Sequence, residues 1–282
     1  ITHIYLAFLN PGDKVLIPNP GYPTYESAAR LAGAIPITYD LDENNGWAPD
    51  WTSVSDEDLK EAKIIMVNYP HMPTGAAGST EIFQDILQKA KTYRFLVVND
   101  NPYSLVLPKG RPVSFLQLEG AKEVVIELNS LSKSHNLAGS RVGMVVGDAA
   151  YIGQILKVKS NVDSGMYLPV QEAAIAALKL SDEWHATRNQ VYASRLELAQ
   201  AIMDALGCTY SKDQVGMFLW ARIPEKFSNV EDLTEKVLHE ANVFLTPGFI
   251  FGTKGQRFVR ISLCCNKEML EQALQRIKSL EL

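Results

Sequence analysis

Short apolar runs alternate with stretches of helical periodicity through the first two thirds of the chain. The runs Lys14–Pro18, Ile35–Tyr39, Lys63–Asn68, Arg94–Asn99, Glu123–Leu128 and Val142–Gly147 have strand length and are rich in β-branched residues. They are apolar on both faces, as strands buried in a sheet covered by helices must be; a half-exposed strand would alternate apolar with polar residues. Helical patterns at Pro23–Leu31, Thr80–Tyr93 and Ala149–Lys159 lie between them. This alternation predicts an α/β unit built on a mostly parallel sheet. The opening run, Ile1 to Leu9, has no Met, no basic flank and no small-residue cleavage site. It is read as the middle of a helix ending at Asn10-Pro11-Gly12-Asp13, and the chain as a fragment of something longer, not as a secretory leader.

From Pro169 the pattern changes. Pro169–Leu180 and Glu183–Leu206 have the length of long helices, the second with Leu196, Ala199, Ile202, Met203 and Leu206 at helical spacing. Short strands at Gly216–Ile223, Val243–Thr246 and Arg257–Ser262 follow, with helices at Val230–Ala241 and Lys267–Leu280. A smaller α+β domain is expected over residues 181–282, after a larger one over 1–180. No low-complexity linker separates them, so the two should pack closely.

Composition narrows the class without choosing a function. The 282 residues are 46% hydrophobic and 21% charged, with a net charge of −5, which is ordinary for a globular enzyme. No basic run marks a nucleic-acid surface, and no apolar run approaches the ~20 residues of a membrane span. The three cysteines, Cys208 and the adjacent Cys264 and Cys265, form no disulfide framework. They are read as buried reduced thiols of a cytoplasmic protein. The five histidines are scattered and lack metal-ligand spacing, and His71 and His135 are read as structural or solvated.

Chemistry concentrates in Ser130-Leu-Ser-Lys133-Ser-His-Asn-Leu-Ala-Gly139-Ser-Arg141-Val-Gly143. A lysine among small hydroxyl residues, followed by an arginine, suits an amine that bonds covalently to a phosphorylated cofactor. Lys133 would supply the amine; Ser130, Ser132 and Arg141 would hold the phosphate, the arginine through paired charge-assisted bonds. Asp100 closes the apolar run Val97-Val-Asn-Asp100, 33 residues before Lys133. A carboxylate there needs a partner, and a protonated pyridine nitrogen would serve; the alternative is an Asx turn before Pro102. Asn68, Asp100 and Ser130 each follow a strand directly, where binding loops of parallel sheets cluster.

Together these segments resemble the class I/II pyridoxal-phosphate aminotransferases, of fold type I. The resemblance rests on Ser-x-Ser-Lys with Gly-x-Arg-x-Gly, on Asp100-x-x-Tyr103, on Asn68-Tyr-Pro-His-Met-Pro73-Thr-Gly75, on Asn19-Pro-Gly-Tyr22 and on the closing Pro247-Gly, Phe251-Gly and Arg260-Ile-Ser series. It implies a large domain with a seven-stranded-type, mostly parallel sheet, a smaller C-terminal domain, and on the order of a hundred residues preceding Ile1. It implies pyridoxal 5'-phosphate bound to Lys133 as an imine, Asp100 on the ring nitrogen and Tyr103 on the phenolic oxygen. Tyr22 would stack on the ring, Asn68 would lie beside the cofactor, and Arg260 would clamp the substrate α-carboxylate. Arg257 competes with Arg260 but falls on the other strand face by period-two alternation. One position departs from the pattern: Met72 stands where the family has an asparagine that donates to the phenolic oxygen, and a thioether cannot donate. Lys157-Val-Lys-Ser-Asn161-Val-Asp-Ser164-Gly165 resembles a segment of the diaminopimelate and related aminotransferases.

The resemblance implies transfer of an amino group from an L-amino acid to a 2-oxo acid by a homodimer. Two alternatives stay open: a carbon–sulfur β-lyase on the same cofactor, and an aminotransferase-like sensor domain of a transcription regulator. The donor is undetermined among acidic, aromatic and diaminopimelate-like amino acids.

Overall fold

All six strands expected in the first two thirds enter one sheet, joined by a seventh. The computed structural model describes residues 1–280. The sheet contains β1 (Lys14–Asn19), β2 (Ile35–Asp42), β3 (Ala48–Asp50), β4 (Ala62–Val67), β5 (Leu96–Asp100), β6 (Val125–Ser130) and β7 (Gly143–Val146), in the order β3-β2-β1-β4-β5-β6-β7. The five inner strands are parallel; β3 and β7 are antiparallel edges. The winding reverses between β1 and β4, so the carboxyl ends of the inner strands flank a topological switch point, where ligands of open α/β sheets bind.

Apolar faces explain the layering. Along β4, Ile64 and Met66 point to one side and Ile65 and Val67 to the other, by the period of two. The first pair packs against α1 (Thr2–Phe8), α2 (Thr24–Leu31) and α6 (Ala149–Val162) through Ile4, Tyr5, Ala28 and Ile155. The second packs against α4 (Thr80–Tyr93) through Phe83, Ile86 and Ala90. Ser79 caps α4 by accepting from the Ile82 N–H. Phe83 is 1% exposed and stacks on Phe115 at 3.9 Å between ring centroids. Truncation by Phe83→Ala is expected to cost about 3–5 kcal/mol, read as a lowered denaturant midpoint with an unchanged slope.

The remaining chain forms α7 (Leu168–Leu178), α8 (Asp182–Ala205) and an antiparallel sheet of β8 (Phe218–Arg222), β9 (Thr246–Pro247) and β10 (Phe258–Ser262) with β10 central. This sheet shares one core with α8, α9 (Val230–Ala241) and α10 (Lys267–Lys278), built on Trp220, Leu219, Ile202, Leu233 and Ile277.

Some expectations are corrected. The strand expected over Val243–Thr246 is the two-residue edge Thr246–Pro247, where a proline without an N–H is tolerated. Cys264 and Cys265 are exposed, and only Cys208 is buried. The strand β10 ends at Ser262 because its partner β8 begins opposite, at Phe218. The chain then turns, and Asn266 caps α10. Two short elements lie outside the apolar runs: β3, and α3 (Asp56–Glu61). Among the described residues no helix is long and apolar enough to cross a membrane.

Candidate active site

The lysine motif folds as a strand, a helical turn and a returning strand. Ser130 ends β6 and caps the four-residue helix α5 (Leu131–Ser134), its Oγ accepting from the Ser132 N–H at 3.1 Å. Leu131 is buried with Val142, Ala174 and Ala177, so it anchors the turn, and Ser132 and Lys133 are left half-buried. Among the described residues the Lys133 amine makes no hydrogen bond and no ion pair. Arg141 has φ +55° and is exposed, donating to the Ala138 carbonyl at 2.8 Å. Gly143 pairs with Ser130, and a Cβ there would lie 2.9 Å from the Asn129 carbonyl oxygen. That close approach explains the last glycine of the motif.

Asp100 ends β5, the strand beside β6. Its Oδ2 accepts from the Tyr25 hydroxyl at 2.9 Å, and no other side chain bonds the carboxylate among the described residues. Burial pushes the Asp100 carboxyl above its ordinary range, and the Tyr25 bond opposes this in part. Tyr25 is fully buried at the start of α2, and its hydroxyl is the side-chain partner of Asp100 among the described residues. Tyr22 is 42% exposed and meets Tyr25 edge-on at 5.6 Å. Asn68 spans two loops: its Nδ2 donates to the Asp100 carbonyl and its Oδ1 accepts from the Met72 N–H at 2.8 Å. The asparagine, directly after β4, thus fixes the loop containing Met72.

On the opposite wall, Tyr103 is buried, its ring edge-on to Phe218 at 5.9 Å. Burial raises its phenol first, and the charge of Asp100 adds to the rise, while Arg260 lowers it. The Arg260 guanidinium lies over the Phe218 and Phe251 rings at 4.1 and 4.5 Å. Its Nη1 approaches the Met72 Sδ at 3.4 Å, and its buried Nε has no partner. It has no carboxylate partner among the described residues, and burial lowers its pKa. Arg257 is spent elsewhere, on the Phe227, Ser228 and Pro224 carbonyls and on Glu225 at 3.2 Å.

The histidines stay outside this chemistry. Burial pushes His71 down to about 3, and its Nδ1 bonds the Thr74 hydroxyl at 2.8 Å. His135 bonds Ser134 Oγ at 2.8 Å and lies 4.9 Å from the His185 ring.

An unpaired amine, a half-buried carboxylate with one hydroxyl partner and a half-buried guanidinium without an anion are costly to keep. They fit a ligand with an aldehyde, a protonatable ring nitrogen and a carboxylate-bearing co-reactant. A family model described as aminotransferase class I and II matches residues 1–277. The chain belongs to the class I and II aminotransferases. It is 40% identical to the LL-diaminopimelate aminotransferase of Aquifex aeolicus, over 100% of this chain and 73% of that protein. Its identity to the protein of that name from Oleidesulfovibrio alaskensis is 39%, over 99% and 72%. Among solved structures, substrate-bound BacF from Bacillus subtilis superposes with TM-score 0.93 at 35% identity, covering 100% of this chain and 72% of that one. A probable N-succinyldiaminopimelate aminotransferase from Thermus thermophilus superposes with TM-score 0.89 at 35% identity, covering 98% and 74%. As a class I and II aminotransferase the chain is a pyridoxal-phosphate-dependent transaminase of fold type I. Amino-group transfer is thereby favoured over β-elimination and sensing.

Proposed function

We propose that this transaminase takes LL-diaminopimelate as its amino donor and a 2-oxo acid as acceptor, with Lys133, Asp100 and Tyr103 as catalytic residues. The donor is supported by the names of relatives 39–40% identical over nearly the whole chain. The carboxylate-bearing substrate is supported by one observation above others: the half-buried Arg260 guanidinium lies over two phenyl rings with no anion to meet it.

Pyridoxal phosphate supplies an aldehyde that bonds amines covalently and a ring that draws electrons from the substrate α-carbon. Asp100 would meet the cofactor's ring nitrogen with its carboxylate and hold a proton there. Lys133 would hold the cofactor through its Nζ, and the same amine, once freed, would take the proton from the substrate α-carbon and return it as general acid. Tyr103 would donate from its hydroxyl to the phenolic oxygen, and with Met72 unable to donate it would carry that contact without help from the Asn68 loop. Ser130, Ser132 and Arg141 would hold the phosphate and Tyr22 would cover the ring, while Asn68 holds the loop between β4 and Met72 in register with Asp100. Arg260 fixes the substrate α-carboxylate by a fork of two N–H donors.

The larger unit over residues 1–180 then carries the cofactor, and the smaller one closes the site with Arg260. A homodimer is supported by the exposed apolar side chains Val146, Leu156, Tyr167, Leu168 and Leu178 within one stretch of chain. The unpaired cysteines are in keeping with a cytoplasmic enzyme.

A donor panel tests the substrate. With pyridoxal phosphate and 2-oxoglutarate, LL-diaminopimelate is expected to give a kcat/KM at least about tenfold above glutamate, aspartate and phenylalanine. A better rate with any of these would remove the diaminopimelate reading. Release of pyruvate and ammonia from cysteine or cystathionine without an acceptor would move it to β-elimination.

A further inference from the structure

One buried cation lies outside the chemistry above. Arg188, on the first half of α8, is 7% exposed and has no acidic partner among the described residues. Burial lowers its pKa, so its charge is held at a cost. Its two terminal nitrogens are spent on two backbone carbonyls from distant parts of the chain. Nη1 donates to the carbonyl of Ser134 and Nη2 to that of Leu105. The neighbouring Asn189 doubles the second contact. Its Nδ2 donates to Leu105 O at 3.1 Å, and its Oδ1 accepts from the Leu107 N–H at 3.1 Å and from Arg188 Nη2 at 3.1 Å. The Trp184 ring covers the guanidinium at 5.5 Å.

Both carbonyls adjoin reacting residues. Ser134 follows Lys133 and ends α5, a helix of four residues that is too short to be rigid by its own hydrogen bonds. Leu105 lies two residues beyond Tyr103, within the turn closed by the Val106 N–H on the Tyr103 carbonyl at 2.8 Å. A planar fork with divergent donors can fix two carbonyls relative to each other; an ammonium, as a point charge on a flexible stem, cannot.

We propose that Arg188, seconded by Asn189, is a positioning residue for amino-group transfer: it sets the Lys133 turn against the Tyr103 loop. This rests on Lys133 and Tyr103 being the reacting residues. Misplacement by about 1 Å between reacting groups costs roughly 100-fold in rate. Retaining the charge without the fork should therefore slow proton transfer at Lys133 Nζ and leave substrate binding, which belongs to Arg260, nearly unchanged.

The test compares Arg188→Lys and Asn189→Ala with wild-type holoenzyme, using whichever donor of the panel wild type turns over fastest. Arg188→Lys is expected to lower kcat roughly 10- to 100-fold with KM for the donor little changed. The kinetic isotope effect from an α-deuterated donor should rise, because proton transfer becomes the slow step. Asn189→Ala, which breaks only the Tyr103-loop side, should shift both quantities in the same direction by less. This milder variant decides the matter if Arg188→Lys does not fold. A wild-type kcat and isotope effect in the folded variants would overturn the proposal alone. So would a loss of rate that only tracks the fraction of folded protein. Turnover surviving Lys133→Ala would overturn the Lys133 assignment and the proposal with it.

Discussion

Lys133→Ala is expected to abolish amino-group transfer and leave the fold untouched. The two halves of that result have separate causes. General acid–base catalysis by a positioned side chain contributes about 10²- to 10⁴-fold, and loss of the covalent hold on the cofactor comes on top of it. Residual turnover should therefore lie at least about four orders of magnitude below wild type. Stability should stay within about 0.5 kcal/mol of wild type, because the Lys133 amine has no hydrogen bond or ion pair among the described residues to lose. Leu131, not Lys133, anchors the turn. The paired measurement is a donor-dependent rate and a thermal melt on the same preparation. Substantial turnover in a normally folded variant would sink the assignment of Lys133. A large fall in melting temperature would show that the lysine supports the turn, against its lack of partners.

The sequence made the strands legible because each inner strand is buried on both faces and reads as a continuous apolar run. Residues at the strand ends were legible for the same reason: Asp100 and Ser130 stand out where an apolar run stops. The partners of those residues were not legible. Tyr25 lies 75 positions from Asp100, and nothing in a helix-starting Tyr-Pro-Thr-Tyr shows which ring turns under the sheet. Asn68 reads as a ligand-facing amide, yet its oxygen and one of its N–H groups hold backbone. Arg188 left a fainter trace. It falls on the stripe of α8 that continues through Tyr192, Ala199, Ile202 and Met203, all buried, and a charged residue on a buried stripe asks for a partner. Past Ser262 the alternation of Phe258–Ser262 gave no notice that pairing had run out, so Cys264 and Cys265 were placed inside when they are outside.

Asp100→Asn should separate stability from activity. The amide has the shape of the carboxylate, and its oxygen can still accept from Tyr25, so the strand end keeps its local bond. It carries no charge to hold a proton on the ring nitrogen, and loss of such preorganised electrostatics costs about 10²- to 10³-fold in kcat. Stability of the cofactor-free protein should move the other way. The folded-state pKa of Asp100 is raised above its ordinary value of 3.8 by burial. Over the window between those two values the folded state binds more protons than the unfolded one, so stability falls as pH rises through it. Above that window wild type bears the whole penalty, and Asp100→Asn bears none. Cofactor-free Asp100→Asn should thus have the higher denaturant midpoint near neutral pH, with the difference shrinking as pH falls toward 3.8. Adding pyridoxal phosphate should narrow or reverse the order, because the wild-type carboxylate gains its cationic partner and binding stabilises the folded state by mass action. Equal activity in the two proteins would remove Asp100 from the catalytic residues. A cofactor-free wild type that is the more stable at every pH would mean that the carboxylate is already compensated without the cofactor.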